Sequence, residues 1–207
     1  MRKIAILVLF FSSFAFGQSS QASWDTGVWF AGGHSVPGGT AYVSLFDAGL
    51  RLGKVLTGDH GSGFLRGNFE YAIDLVPVYV VHQSNYVVCT PGFGPCYANQ
   101  SSTAYGGGFN PIDLKWNFTS AKRVRPYLEL GGGTLFSNKN VPAGTNTVNF
   151  RTHAGLGIHT HPLTFEVRYE HISNAGLASP NPGINSVQGM VGWNNFSACR
   201  WFRHCHS

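Results

Sequence analysis

Apolar and polar residues alternate along this chain with a period of two, and a helical period is almost absent. From Leu65 the odd positions read Leu65, Gly67, Phe69, Tyr71, Ile73 and Leu75, whereas the even ones read Arg66, Asn68, Glu70, Ala72 and Asp74. The pattern returns at Ile112, Leu114, Trp116 and Phe118 against Asp113, Lys115 and Asn117. It returns again at Val148, Phe150, Thr152, Ala154, Leu156 and Ile158 against Asn149, Arg151 and His153. Successive side chains of a strand point to opposite faces, so each segment is a strand with one apolar and one polar face. Dyad segments of about ten residues are those of a transmembrane β-strand, whose apolar face meets lipid while its polar face lines the interior.

Strands are expected at about 26–35, 41–55, 64–81, 103–118, 123–137, 146–159, 162–174 and 185–196. Eight is an even number, as closure of an antiparallel barrel in one bacterial chain requires. Long connections follow the third, fifth and seventh strands (VHQSNYVVCTPGFGPCYANQSS, NKNVPAGTN and NAGLASPNPGI), whereas THPL after the sixth is very short. Long loops belong outside and short turns in the periplasm, so the seventh strand runs outward.

A soluble β-sandwich or lipocalin-like barrel also alternates. It would place Arg66, Glu70, Asp74, Asp113, Lys115, Arg125, Glu129, Arg151, Glu166 and Arg168 on a solvated exterior and bury the apolar faces. Composition favours the inverse arrangement, since 27 glycines and 14% aromatics accompany only 11% charged residues. The chain also opens MRKIAILVLFFSSFAFGQ, with Arg2 and Lys3, an apolar run from Ile4 to Phe11, and small residues at Ala15 and Gly17. That is the layout of a secretory signal cleaved before Gln18, and the run is too short for a membrane anchor. The expected organisation is a signal peptide over 1–17, an all-β eight-stranded antiparallel outer-membrane barrel over 18–196, and a tail over 197–207.

Without Arg2 and Lys3 the formal charge falls from +5 to +3, too weak a bias to argue for nucleic acid. Cys89, Cys96, Cys199 and Cys205 are an even set in an exported chain, which suggests disulfides, with local pairing favoured because the two pairs fall on opposite sides of the membrane. The tail CRWFRHCHS crowds Cys199, His204, Cys205 and His206, but its spacing matches no established zinc pattern. The pair His159 and His161 reads as solvated residues at a periplasmic turn rather than as metal ligands, and no metal or cofactor is implied.

The seventh strand ends in distinctive chemistry. In FEVRYEHIS, Phe165, Val167, Tyr169, His171 and Ser173 share the outward face, and Glu166, Arg168 and Glu170 share the inward one. A histidine and a serine turned toward hydrocarbon are costly unless they have partners, so they mark a functional cluster or sit at the headgroup level. Residues i and i+2 share a face, so His171 can approach Ser173 as a base approaches a nucleophile. The G-x-S-x-G elbow of other serine hydrolases occurs nowhere in the chain.

The run HISNAGLASPNPGIN resembles the signature of the lipid A 3-O-deacylase family, outer-membrane barrels that remove the ester-linked acyl chain at position 3 of lipid A. The resemblance implies that His171 is the general base, that Ser173 is the nucleophile, and that Asn174 helps form an oxyanion hole with Gly176 as a backbone donor. It also implies lipid A or lipopolysaccharide of the outer leaflet as partner, with homodimerisation left open. The family's acid, fourteen residues after the histidine, is Asn185 here. An amide can hold a histidine tautomer but supplies no negative charge.

Two functions follow. One is an outer-membrane serine esterase acting on lipid A with Asn185 in the place of the acid. The other is a non-catalytic outer-membrane barrel with a structural or binding role, through the loop around Cys89 and Cys96.

Overall fold

The computed structural model describes residues 24–89, 96–99, 101–121, 124–160 and 162–195. Ten strands are found among them: β1 (Trp24–Ser35), β2 (Val43–Val55), β3 (Gly67–Gln83), β4 (Tyr86–Cys89), β5 (Cys96–Asn99), β6 (Ser102–Phe118), β7 (Arg125–Ser137), β8 (Val148–His159), β9 (Leu163–Ser173) and β10 (Ile184–Asn195). Eight of them close into a barrel in the order β1-β10-β9-β8-β7-β6-β3-β2, every pair antiparallel. At 11 to 17 residues each, the barrel strands are long enough to cross a bilayer at a tilt.

The polarity of the wall is inverted relative to a soluble barrel. Phe30, Leu50, Leu75, Ile112, Leu156, Val167 and Trp193 stand exposed on the outside. Asp25, Asp47, Glu70, Asp74, Asp113, Glu129, Glu166 and Glu170 are buried inside with Arg51, Lys115, Arg151 and Arg168. Unpaired charges there would be prohibitively costly, and the geometry supplies partners. Arg51 forks onto Asp74 at 2.9 Å and Glu129 at 2.7 Å, Arg151 meets Asp47 at 2.9 Å and also Glu170, and Arg168 meets Glu166 at 2.7 Å. Arg66 and Arg125, expected inside with these residues, instead stay exposed at the end where β2 joins β3 and β6 joins β7. There the strands have already left the interior, and Arg66 pairs with Asp59 at 3.1 Å.

Toward the other end the interior becomes apolar. Val43, Leu45, Val76, Tyr79, Val81, Ala104, Leu135, Ile172, Ile184 and Met190 form one buried cluster, joined by Val141 from the β7–β8 loop. The backbone N–H of Ala143 in that loop donates to Gln83 Oε1 at 3.2 Å. The lumen is therefore filled by side chains along its length, as expected for a barrel of eight strands.

Two prolines lie inside strands where the register slips. The β3–β6 pairing shifts between Val76 and Tyr79, around Pro77, and the β6–β7 pairing shifts between Phe109 and Ile112, around Pro111. Proline lacks the N–H that a ladder needs, and a bulge excuses it from pairing. Each bulge also exchanges the inward and outward parities of its strand.

The first long loop carries an element that periodicity does not reveal: β4 and β5 form a separate two-stranded ribbon with Cys89 directly opposite Cys96. The side chains of these two cysteines lie outside the described residues, as do the segment 1–17 expected to be a signal peptide, the tail over 197–207, Cys199 and Cys205. A 3-10 turn over Gly63–Leu65 occupies the start expected for the third strand, which begins at Gly67.

Candidate functional site

Ile172 and Ile184 are fully buried in the apolar part of the lumen and face each other across β9 and β10. Anchoring these two inward turns their neighbours His171, Ser173 and Asn185 to the outside, at the end of the barrel that carries the long loops. Asn185 is the direct cross-strand partner of His171, and its Oδ1 lies 2.6 Å from His171 Nδ1. An amide oxygen can only accept, so Nδ1 carries the ring proton and Nε2 of the neutral imidazole presents a lone pair. Glu170, the nearest acid in the chain, points inward and bonds Arg151 and Gln188.

The pair is held by parts that the period of two does not expose. Gly183 has φ +65°, and a Cβ on it would stand 3.1 Å from His171 Cε1, so its backbone forms a shelf for the imidazole. The β1–β2 loop folds against the same place: the N–H of Val36 donates to Asn185 O at 2.8 Å and that of Thr40 to Gly183 O at 2.9 Å. Between them Gly38, with φ +105°, packs so that a Cβ would meet Asn185 Nδ2 at 2.9 Å. The loop leaves Asn185 only 8% exposed although it sits on the outward face. In the sequence, Pro37-Gly38-Gly39 and Pro182-Gly183 are visible as turn signals; their meeting across β1 and β10 is not.

His171 and Ser173 are both half-buried, and among the described residues no hydrogen bond joins them. Catalytic hydrogen bonds are often long before substrate arrives, and one side-chain rotation separates an i, i+2 pair on a strand from contact.

Asn174 is buried and organises the loop that follows. Its Nδ2 donates to Ala178 O at 3.1 Å and reaches Pro180 O at 3.5 Å, while its Oδ1 accepts from the N–H of Gly176 at 2.9 Å. The side chain of Asn181 closes the turn by accepting from the N–H of Asn174 at 3.1 Å. Asn174 and Gly176, the residues expected to donate to an oxyanion, are thus bonded to each other, and the contact to Pro180 is the weakest of the set.

His159 is not the solvated turn residue expected: it is buried inside, stacked on Tyr127 at 4.5 Å, with Nδ1 2.8 Å from Thr164 Oγ1. The inward parity of β8 carries it there. His161 lies outside the described residues. Asp113, Glu129 and His153 bring ligand-type atoms within 4.8 Å of one another inside the lumen. Arg51 already contacts both carboxylates, at 2.7 Å for Glu129 and 4.0 Å for Asp113, so the trio reads as part of the ion-pair network.

Comparison with known proteins adds the following. The family described as "Lipid A 3-O-deacylase (PagL)" matches residues 48–194. The lipid A deacylase PagL of Bordetella bronchiseptica is 40% identical over 68 residues, which are 31% of this chain and 38% of that protein. The matched part therefore spans well under half the length of that relative. The crystal structure of the outer membrane enzyme PagL superposes with a TM-score of 0.54 at 18% identity, covering 82% of this chain and 98% of that one. The N-terminal β-barrel domain of Pseudomonas aeruginosa OprF superposes with a TM-score of 0.43 at 14% identity, covering 84% of this chain and all (100%) of that one.

Proposed function

The chain belongs to the lipid A 3-O-deacylase family, and from that membership we propose that it hydrolyses the ester holding the 3-O acyl chain of lipid A in the outer leaflet. Ser173 Oγ attacks the ester carbonyl while His171 Nε2 takes its proton. The imidazolium so formed keeps its Nδ1–H on Asn185 Oδ1. The tetrahedral oxyanion is met by the second N–H of Asn174, released from Pro180, and by the Gly176 N–H once it turns from Asn174 Oδ1. Collapse expels the sugar hydroxyl, which takes the proton back from Nε2. Water then attacks the acyl-serine with His171 again as base, and the fatty acid leaves.

The observation that carries this reading is the pairing of His171 Nδ1 with Asn185 Oδ1 on the lipid-facing side of the wall, two residues from Ser173. It holds the imidazole in the tautomer a base requires, at the end of the barrel that carries the long loops. A closed and filled lumen leaves the outer wall as the surface open to substrate.

A second reading, a non-catalytic barrel of the same shape, draws on one feature: the imidazole has an amide and no carboxylate as its hydrogen-bond partner. Mass spectrometry of lipid A from a Gram-negative host expressing the chain separates the two. Loss of one hydroxyacyl unit is expected, and Ser173→Ala or His171→Ala should each abolish it while leaving a folded, heat-modifiable barrel. Because base and nucleophile act as a unit, the double variant should be little worse than either single one. Intact lipid A with well-folded wild-type protein would leave the non-catalytic reading.

A further inference from the structure

A second polar group interrupts the apolar outer wall beside the site. His34 on β1, Ser44 on β2, His82 on β3 and Thr103 on β6 pair in one line across four adjacent strands: His34 with Ser44, Ser44 with His82, and His82 with Thr103. The flanking positions turn inward on each strand, buried on both sides of Ser44 and His82, half-buried on both sides of His34, and half-buried at Ser102 and buried at Ala104 beside Thr103, so all four face outward. His34 Nδ1 lies 3.1 Å from Ser44 Oγ, and His82 Nδ1 lies 2.9 Å from Thr103 Oγ1. Each hydroxyl fixes one ring and occupies its Nδ1, which leaves Nε2 of both exposed imidazoles for a ligand.

Two steps along each strand toward the membrane the outward positions are Gly32, Phe46, Val80 and Tyr105, so the row marks the border where hydrocarbon gives way to headgroups. At its near end His34 pairs with Val187, two residues along β10 from Asn185. Neighbouring strands lie about 4.8 Å apart, so the row begins one strand from the His171 pair and extends about 14 Å away from it.

Charge supplies an independent argument. The chain has nine acidic residues. Eight of them are sealed in the lumen, and Asp59 lies in the β2–β3 loop at the opposite end. The outer end therefore carries no carboxylate, and an anion approaching the row meets hydroxyls and imidazoles without a like charge.

We infer that His34, Ser44, His82 and Thr103 form a subsite for a phosphate monoester on the headgroup of the lipid substrate. The inference rests on the lipid A reading above, because lipid A carries such phosphates on the sugar that bears its esters. With the Ser44 and Thr103 hydroxyls donating to Nδ1, both rings hold their proton on Nε2 and donate to phosphate oxygens. The row then sets how the disaccharide lies on the wall, and with it which ester reaches Ser173.

The test uses the full-length barrel in detergent micelles, with phosphorylated lipid A and the same lipid after phosphatase treatment. Native mass spectrometry reads lipid retained, and fatty-acid release reads KM and kcat. For the double variant His34→Leu/His82→Leu, KM for phosphorylated lipid A should rise about tenfold, with kcat kept within about twofold and unchanged handling of the dephosphorylated lipid, the effect of losing charge-assisted hydrogen bonds. His34→Gln/His82→Gln, which keeps an N–H at each place, should recover part of the loss. Equal effects on both lipids, or none, in a heat-modifiable variant would overturn the subsite. Displacement of the lipid by inorganic phosphate at equal concentration would make this a free-anion site and remove the headgroup assignment. If no fatty acid is released but the retention contrast persists, the hydrolase reading fails and the subsite stands.

Discussion

His171 Nδ1 and Asn185 Oδ1 lie 2.6 Å apart, directly opposite each other across the β9–β10 pair. On the mechanism proposed above, the amide would do the orienting part of an acid's work without its charge. An imidazolium formed during attack is stabilised by a neighbouring carboxylate more than by an amide, and that difference exists only in the transition state.

The first prediction follows from how tightly the pair is packed. Asn185→Asp replaces the amide by a carboxylate of the same size and should raise kcat by about tenfold or more with little change in KM, a fraction of the ten-thousandfold cost of the reverse exchange in a serine protease. Asn185→Glu adds a methylene beneath Gly38, whose Cβ position is already 2.9 Å from Asn185 Nδ2, and should gain less or lose activity. Steady-state kinetics of fatty-acid release decides. A fall in kcat for Asn185→Asp at unchanged barrel stability would show that the site is adapted to the amide.

A second prediction concerns the shelf under the imidazole. Gly183→Ala places a methyl 3.1 Å from both His171 Cε1 and Ile172 O at a left-handed backbone position. The strain should lower stability by about 1–2 kcal/mol. Displacement of the ring should lower kcat by about tenfold to a hundredfold. Gly144→Ala, with φ +80° but nothing within 4 Å of the new methyl, is the control and should lose stability alone. Equal kcat in both variants would deny Gly183 its positioning role.

How much of this was legible beforehand depends on whether a feature is periodic. The outward placement of His171, Ser173 and Asn185 follows from parity, because no bulge interrupts β9 or β10 between Ile184 and Trp193. The same parity places His159 inside, continuing Asn149, Arg151 and His153, although it is the last residue before a turn. His82 could not be placed this way, because the slip at Pro77 exchanges the faces of β3 and turns even-numbered residues outward beyond it. Gly38 and Gly183 meet through a loop packed on a neighbouring strand, a contact between distant segments that no local pattern encodes.

The third prediction is a pH dependence at the opposite end. Thr119 donates to Asp59 Oδ2 at 2.8 Å and holds the carboxyl below its ordinary value, with Asn68 and Arg66 adding to the shift and slight burial opposing it. A depressed carboxyl contributes stability that is present above the ordinary value near about 4 and is lost as pH falls through the lowered one. Asp59→Asn should therefore be slightly less stable than wild type at neutral pH, and the difference should vanish in acid. The effect is small because the group is solvent-accessible and screened. Thermal midpoints at several pH values test the sign; a gap that widens in acid would contradict the assignment.

The fourth prediction separates the barrel's stability from its chemistry. Arg51 bridges β2 to β3 and β7 by two-pronged contacts with Asp74 and Glu129, all three side chains being essentially inaccessible. Arg51→Leu strands Asp74 without a cation inside the lumen, while Glu129 keeps Lys115, His153 and Arg168, so unfolding free energy should fall by about 3–5 kcal/mol, the usual cost of breaking a buried pair from one side. Among the described residues the ion pairs of Arg51 are with Asp74, Asp113 and Glu129, on β3, β6 and β7, and none is with β9 or β10, which carry the His171 pair. The kcat of the fraction that remains folded should therefore match wild type, read by fatty-acid release normalised to the heat-modifiable band. A drop in kcat of folded Arg51→Leu comparable to that of Gly183→Ala would mean that the ion-pair network positions the outer site, and that the two halves of the lumen are not independent.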